Sequence, residues 1–145
     1  MEAVRENDLE NVLELLRAGA GVNQPDPGDT GVPLHYAVHS SPAIVEALLA
    51  HGAEINLKGR GGSTALHIAA ASAKPVIVEL LIARGAELNI RDDEGKTPLA
   101  CALEPTFYEK FMKHHGGGPM QASDFAEAAN KQAIQELLRR YGGVT

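Results

Sequence analysis

The sequence predicts an all-helical solenoid, in which repeated units of two helices stack along one axis. The first observation is a Gly-Ala step that returns every 33 residues, at Gly19-Ala20, Gly52-Ala53 and Gly85-Ala86. A fixed period of this length indicates stacked supersecondary units. The second observation is an apolar pattern with spacing i, i+3 and i+4 ahead of each step, which places a stripe on one face of a helix. The third is a helix-start signal upstream of each full stripe.

The second helix of each unit ends at the recurring glycine. Glycine has no Cβ and can adopt the left-handed conformation that often follows the last turn of a helix. An asparagine recurs four residues later, and its side chain is suited to tying the loop by hydrogen bonds. The recurring frame is Val12, Leu15, Leu16, Gly19 and Asn23, then Val45, Leu48, Leu49, Gly52 and Asn56, then Val78, Leu81, Ile82, Gly85 and Asn89.

The first helix of each unit begins at a threonine-containing or proline-containing signal. These signals are Thr30-Gly31-Val32-Pro33-Leu34-His35, Ser63-Thr64-Ala65-Leu66-His67 and Lys96-Thr97-Pro98-Leu99. Thr is a good N-cap, and Pro at the first helical position loses no useful hydrogen bond. The alanines that follow allow close packing of this helix.

These residues resemble the ankyrin repeat family, whose pattern is Thr-Pro-Leu-His-x-Ala followed by Leu-Leu-x-x-Gly-Ala-x-x-Asn. The resemblance covers nearly the whole chain, and both signatures are in phase in the two central units. It implies an all-α ankyrin-repeat solenoid of stacked helix-turn-helix units with β-hairpin loops, about four to five repeats including the caps.

The chain divides into units that we expect to form one domain over residues 1–145. Residues 1–23 form an N-terminal cap without an opening hairpin, either as a natural start or because a longer array was cut. Internal repeats follow at 24–56, 57–89 and 90–118, and a final helix pair over 119–145 forms the C-terminal cap. The fourth unit departs from the family pattern after Leu103. We expect Leu138→Ala in the cap mainly to fray the end of the stack.

Composition limits the class of protein. The 145 residues carry a net charge of −6, and the basic residues are scattered, which argues against a nucleic-acid partner. No membrane-spanning run or secretory signal is present, so no membrane partner is expected. The single Cys101 cannot form a disulfide within the chain, which favours a cytoplasmic or nuclear, reducing compartment. Cys101 is interpreted as a buried helix residue, and the chain is expected to be a monomer.

Few residues point to catalysis or metal binding. His35 and His39 have a spacing that can chelate a metal, but the family uses the histidine at 35, and likewise at 67, in a structural role. His114-His115 lack further ligands at a fixed spacing. The glycines at 59, 61 and 62 are interpreted as a turn, since the rest of a phosphate-binding motif is missing. We therefore expect no enzyme activity, no cofactor and no metal.

The predicted function is protein–protein interaction, with a partner protein or peptide bound on the concave face of the stack. The resemblance implies that this face consists of loop tips and exposed first-helix positions. The positions carry both signs of charge, so complementarity would select the partner. The loop-tip candidates are Asp26, Asp29, Lys58, Arg60, Asp93, Glu94 and Lys96, and the first-helix candidates are Arg5, His39, Ser40, Ser72 and Glu104.

Two other functions remain open. The chain could be a substrate-recruiting or regulatory segment of a larger protein, such as a ubiquitin ligase subunit or an enzyme. It could also be an engineered ankyrin binding scaffold, although its unequal repeats favour a natural sequence. The family further implies that Asn56 and Asn89 are possible sites of hydroxylation by an asparaginyl hydroxylase, although a structural role of the asparagine is the stronger interpretation.

Overall fold

The computed structural model describes residues 1–28, 31–105 and 121–145, and in these ranges it is a stack of helix pairs. This confirms the predicted all-α solenoid. The described ranges contain no β-strand; the loops between units are turns, such as the one that the Gly59 N–H closes on the Ser63 carbonyl at 2.9 Å. The first helices are α1 (Glu2–Arg5), α3 (Pro33–Ala37), α5 (Ala65–Ala71) and α7 (Pro98–Ala102); the second helices are α2 (Leu9–Arg17), α4 (Pro42–Ala50), α6 (Pro75–Ala83) and α8 (Ala122–Arg140).

One hydrophobic core runs along the stack from Ala3 to Leu138. Each described unit adds equivalent side chains to it, because the apolar spacing repeats with the helices. The buried positions shared by several units are Leu34, Leu66 and Leu99 on the first helices, and Ile44, Ile77, Ile134, Leu48, Leu81 and Leu138 on the second helices.

A buried histidine joins the first helix of each central unit to the following loop. The His67 Nδ1 accepts from the Thr64 backbone N–H at 3.2 Å, so Nε2 carries the proton and donates to the Lys96 carbonyl at 3.0 Å. The His35 Nε2 lies 3.0 Å from the Leu57 carbonyl. These contacts give both histidines the bracing role that the resemblance implies.

The recurring asparagines join neighbouring units. The Asn23 Oδ1 accepts from the Glu54 N–H at 2.9 Å, and the Asn56 Oδ1 accepts from the Glu87 N–H at 2.9 Å. The Asn89 Oδ1 accepts the same kind of bond at 2.8 Å, but from the Val144 N–H. Val144 therefore takes the position in the fourth unit that Glu87 has in the third.

The C-terminal helix α8 is the second helix of the fourth unit. It packs against α6 and α7, and it is followed by Gly142 at φ +95°, as α6 is followed by Gly85 at φ +87°. A helix pair was expected over 119–145, but a single helix spans Ala122–Arg140 because no Gly or Pro interrupts it. A second helix within 90–118 was also expected; residues 106–118, where it would fall, lie outside the described residues, and α8 is the described helix that packs against α7.

Candidate functional site

A cleft of about 390 Å³ lies between the loop tips of the third and fourth units and the ends of α5 and α7. Four candidates from the sequence, Asp93, Glu94, Lys96 and Glu104, line this cleft together. The other charged groups in its wall are Asp92 and the buried Lys131 of α8, and the buried Cys101 also lines it. The loop-tip and first-helix candidates of the fourth unit thus form one site, which we call the C-terminal cleft.

The Lys96 ammonium connects the two sides of the C-terminal cleft. Its Nζ lies 2.8 Å from the Glu104 Oε1 and 2.7 Å from the Glu94 Oε2. The hydrogen bonds that the Lys96 ammonium donates to Glu104 and then to Glu94 raise the pKa of Lys96, so the side chain stays protonated. The pair with Glu94 is largely exposed to solvent, which makes it easy for a partner's charges to replace.

The loop tip of the fourth unit is held by its own backbone. The Asp92 Oδ1 accepts from the N–H groups of Glu94 at 2.9 Å and Lys96 at 2.8 Å. The Asp93 N–H donates to the Gly61 carbonyl at 2.9 Å, which fixes the two neighbouring tips against each other. Gly62 has φ +69°, and a Cβ at this position would lie 2.4 Å from the Asp93 Oδ1. The close approach of the tips therefore requires glycine at position 62.

The candidates of the third unit lie beside this cleft. The Lys58 Nζ donates to the Arg91 carbonyl at 2.7 Å, so the ammonium is used to join two loops. Arg60 is exposed in a short 3-10 turn over Arg60–Gly62, and its guanidinium has no hydrogen bond or ion pair within the described ranges. Ser72 is half-buried just after α5.

The candidates of the first two units form a separate cluster. The Arg5 guanidinium lies 2.6 Å from the Asp26 Oδ2 and 4.4 Å from the centre of the Tyr36 ring. Hydrogen bonding to Tyr36, followed by Asp26, raises the pKa of Arg5. The Ser40 Oγ donates to the Val4 carbonyl at 2.5 Å, while His39 is exposed. Asp29 lies outside the described residues.

Sequence reasoning missed three residues of these two sites. Tyr36 directly follows the motif histidine, and its position could have been found by applying the first-helix frame to every unit. Asp92 opens the Asp-x-x-Gly turn of the fourth unit and could have been found in the same way. Lys131 could be placed only after α8 was recognised as a second helix. The sequence signal for that helix is Leu137-Leu138, which precedes Gly142 at the same spacing as Leu80-Leu81 precedes Gly85.

The metal and thiol candidates have structural surroundings. His35 is buried against the Leu57 carbonyl, whereas His39 is exposed, and the described ranges hold no group of three potential metal ligands. His114 and His115 lie outside the described residues. Burial, followed by the charge of Asp92, raises the pKa of the Cys101 thiol and so disfavours the reactive thiolate.

Asn56 and Asn89 both hold the loop of the next unit through their side-chain amides. An enzyme that modified either side chain would first have to separate it from that loop. Within the described ranges, no helix combines the length and apolar character needed to cross a bilayer.

Comparison with known proteins agrees with this architecture. The family model "Ankyrin repeats (3 copies)" matches residues 1–92 and 54–111. A human protein, 2-5A-dependent ribonuclease, is 42% identical over 65 residues, which cover 44% of this chain and 9% of the ribonuclease. The chain therefore spans under a tenth of that relative's length. Ankyrin repeats are in general protein-interaction modules, and the repeat fold itself is non-catalytic. The chain belongs to the ankyrin repeat family.

Proposed function

We propose that the chain is a non-enzymatic protein-interaction module, and that a partner protein or peptide binds on the concave face with its centre at the C-terminal cleft. The observation that carries this proposal is the convergence of Asp93, Glu94, Lys96 and Glu104 around one cleft of about 390 Å³. These residues come from a loop tip and from the segment just after a first helix, the two regions that the family's usual binding face combines.

The charges around the cleft support selection by electrostatic complementarity. Carboxylates outnumber ammonium groups in the wall of the cleft. The Lys96 ammonium already offsets part of the negative charge of Glu94 and Glu104. The exposed Arg60 adds a positive charge on the neighbouring tip. A partner with a cation for Asp93 and an anion for Arg60 would satisfy both, and such charges act mainly on the rate of association and on specificity.

The proposal can be tested by affinity capture from cell lysate followed by mass spectrometry. The test variant combines Lys58→Glu, Arg60→Glu and Asp93→Lys. We expect it to lose a protein that the unchanged chain retains, with about a 10-fold or greater loss of signal, since several complementary pairs become like-charge pairs. Circular dichroism should show that the variant remains folded.

A charge variant on the second helices provides the matched control. Glu46 on α4 and Arg84, just after α6, form an exposed ion pair of 3.1 Å, and neither residue lines the cleft. Exchanging them as Glu46→Arg and Arg84→Glu keeps the net charge and should leave capture unchanged. Equal loss of the partner from both variants would show that binding is not specific to the face that carries the cleft.

We further propose that the module works as a monomer in the cytoplasm or nucleus, without nucleic acid, membrane or cofactor. The supporting features are the net charge of −6 and the single, buried Cys101. Sedimentation equilibrium at micromolar concentration should give a mass near 15.3 kDa. A dimer under reducing conditions would contradict the monomer proposal.

A second candidate is a substrate-recruiting segment of a larger protein. It is favoured by the human ribonuclease, in which the matching residues make up only 9% of the relative. An antibody against the repeats would discriminate on an immunoblot of the source tissue or cells. A band well above 15.3 kDa would favour the recruiting segment, and a band at that mass would contradict it.

We keep hydroxylation of Asn56 and Asn89 as a proposal. The acidic-apolar pairs Glu54-Ile55 and Glu87-Leu88 precede these asparagines, which is the context the family implies. Incubation with an asparaginyl hydroxylase and its cosubstrates should add one oxygen per modified asparagine. An unchanged intact mass would overturn the proposal.

A further inference from the structure

We infer that residues 105–130 are an insertion that replaces a two-residue turn inside the fourth repeat, and that the stack folds without them. In the third unit, Ser72 and Ala73 alone lie between Ala71, the last residue of α5, and Lys74, the N-cap of α6. The equivalent flanking positions in the fourth unit are Glu104 and Lys131. This inference does not depend on the proposed binding function.

The hydrogen bonds of the asparagines define this equivalence. Asn56 binds the N–H of Glu87, two residues after Gly85, and Asn89 binds the N–H of Val144, two residues after Gly142. The glycines at 85 and 142 stand 57 residues apart instead of 33. The 24 additional residues fall between α7 and the packed part of α8, since Thr64 and Thr97 at the starts of α5 and α7 keep the 33-residue period.

Side chains of α8 replace the hydrogen bonds that the short turn makes elsewhere. In the third unit, the Lys74 backbone N–H donates to the Ala69 carbonyl at 3.0 Å and so caps α5. In the fourth unit, the equivalent Ala102 carbonyl accepts from the Gln135 Nε2 at 3.1 Å. The Lys131 Nζ donates to the Glu104 carbonyl at 2.9 Å. The end of α7 is therefore closed by side chains of α8 instead of by the backbone of a short turn.

The identity of Gln135 supports this explanation. Its equivalents in the second and third units, Val45 and Val78, are fully buried apolar residues. A polar side chain at this position needs a partner in the stack, and the Ala102 carbonyl provides it. Lys131 is likewise 5% exposed, which is rare for a charged residue without a specific partner.

The burial pattern along α8 shows where the repeat resumes. No residue from Ala122 to Asn130 is buried, whereas Lys131, Ile134 and Leu138 are. The helix has 19 residues and is about 28 Å long, twice the length of the nine-residue α6. The first half of α8 thus adds no buried side chain to the core.

The direct test replaces residues 105–130 with Ser-Gly, the second residue being glycine because Ala73 has φ +54° at that position. We expect a monodisperse, cooperatively unfolding protein whose Tm stays within about 5 °C of the full chain, because every side chain that is buried in the described ranges is kept. A non-cooperative or aggregated product would count against the inference.

Gln135→Val in the full chain gives a second test that does not require the shortened chain to fold. Loss of the donor to the Ala102 carbonyl should lower Tm by about 2–6 °C. In the shortened chain the Lys131 backbone N–H can donate to the Ala102 carbonyl in place of Gln135. The same substitution should therefore leave Tm unchanged or raise it. Gln132→Val at an exposed position of α8 is the matched control, with a shift within about 2 °C. A Tm that does not fall for Gln135→Val in the full chain would overturn the inference.

Discussion

The third and fourth repeats show what the solenoid needs and what it tolerates. The third joins its two helices through Ser72, Ala73 and Lys74, whereas residues 103–121 separate α7 from α8 in the fourth. In both repeats, the backbone N–H two residues after the glycine that follows the second helix still donates to the asparagine of the preceding unit, Asn56 or Asn89. The register of the stack is therefore set by contacts between neighbouring units, and the length of the connection inside a unit can vary.

The same comparison explains why the candidate site lies at the fourth repeat. Its altered connection brings Lys131 of α8 to the Glu104 carbonyl, at the wall of the C-terminal cleft. In the third unit the turn closes on itself through the Lys74 N–H. The departure from the repeat pattern therefore adds a charged group beside a face that regular repeats build from loop tips and first helices alone.

The largest expected effect tests whether the fourth repeat is a full member of the core. Leu81→Ala should cost about 2–5 kcal/mol, because Leu81 is fully buried. From the sequence, Leu138→Ala is expected only to fray the end of the stack. The Leu138 side chain is also fully buried, however, so the structure predicts a loss of unfolding free energy in the same range as for Leu81→Ala. Denaturant titrations of both variants measure this directly. A much smaller loss for Leu138→Ala would show that the last helix is loosely attached.

A smaller effect should come from the asparagines. Asn56→Ala removes the bond to the Glu87 N–H, and Asn89→Ala removes two bonds to the segment Gly142–Val144. We expect losses of about 1 kcal/mol and about 1–2 kcal/mol, respectively. Hydrogen exchange of the Glu87 and Val144 amides should accelerate only in the corresponding variant. Faster exchange at both amides in either variant would mean that the units do not hold their registers independently.

The smallest effect concerns the turn that the fourth repeat has lost. Ala73 has φ +54°, a conformation that suits glycine better than alanine, but its methyl group is buried. Relief of backbone strain and loss of the methyl contact oppose each other, so Ala73→Gly should change stability by less than about 1 kcal/mol. Ala70→Gly inside α5 is the control and should cost more. A large loss at Ala73 would indicate that the turn is held by packing and not by its backbone.

Local patterns predicted most of the fold, because ankyrin repeats are built from short-range signals. The 33-residue period, Gly52, Gly85 and the Thr97 cap all have the predicted positions or roles. The predicted boundary between residues 118 and 119 separates α7 from α8, although these two helices pack against each other. The period does not identify α8 as the partner of α7, because α8 lies after an interruption of the 33-residue spacing. The sequence does show Leu137-Leu138 before Gly142, as at the ends of the other second helices. Only a contact such as the hydrogen bond between Asn89 and Val144 establishes how α8 is aligned with the preceding unit.

The candidate face was predicted as a set of positions, and the structure shows how they group. Asp93, Glu94, Lys96 and Glu104 meet in one cleft, whereas Arg5 and Asp26 pair at the other end beside Tyr36. This grouping depends on the directions of side chains from different units. Repeat spacing alone does not contain that information.

The most direct test of the account is hydrogen–deuterium exchange of the chain with and without a captured partner. We predict protection of the cleft segments 61–63, 92–96 and 101–104, with unchanged exchange along the outer parts of α4 and α6. Protection confined to α4 and α6, with none around the cleft, would contradict the assignment of the C-terminal cleft as the binding centre.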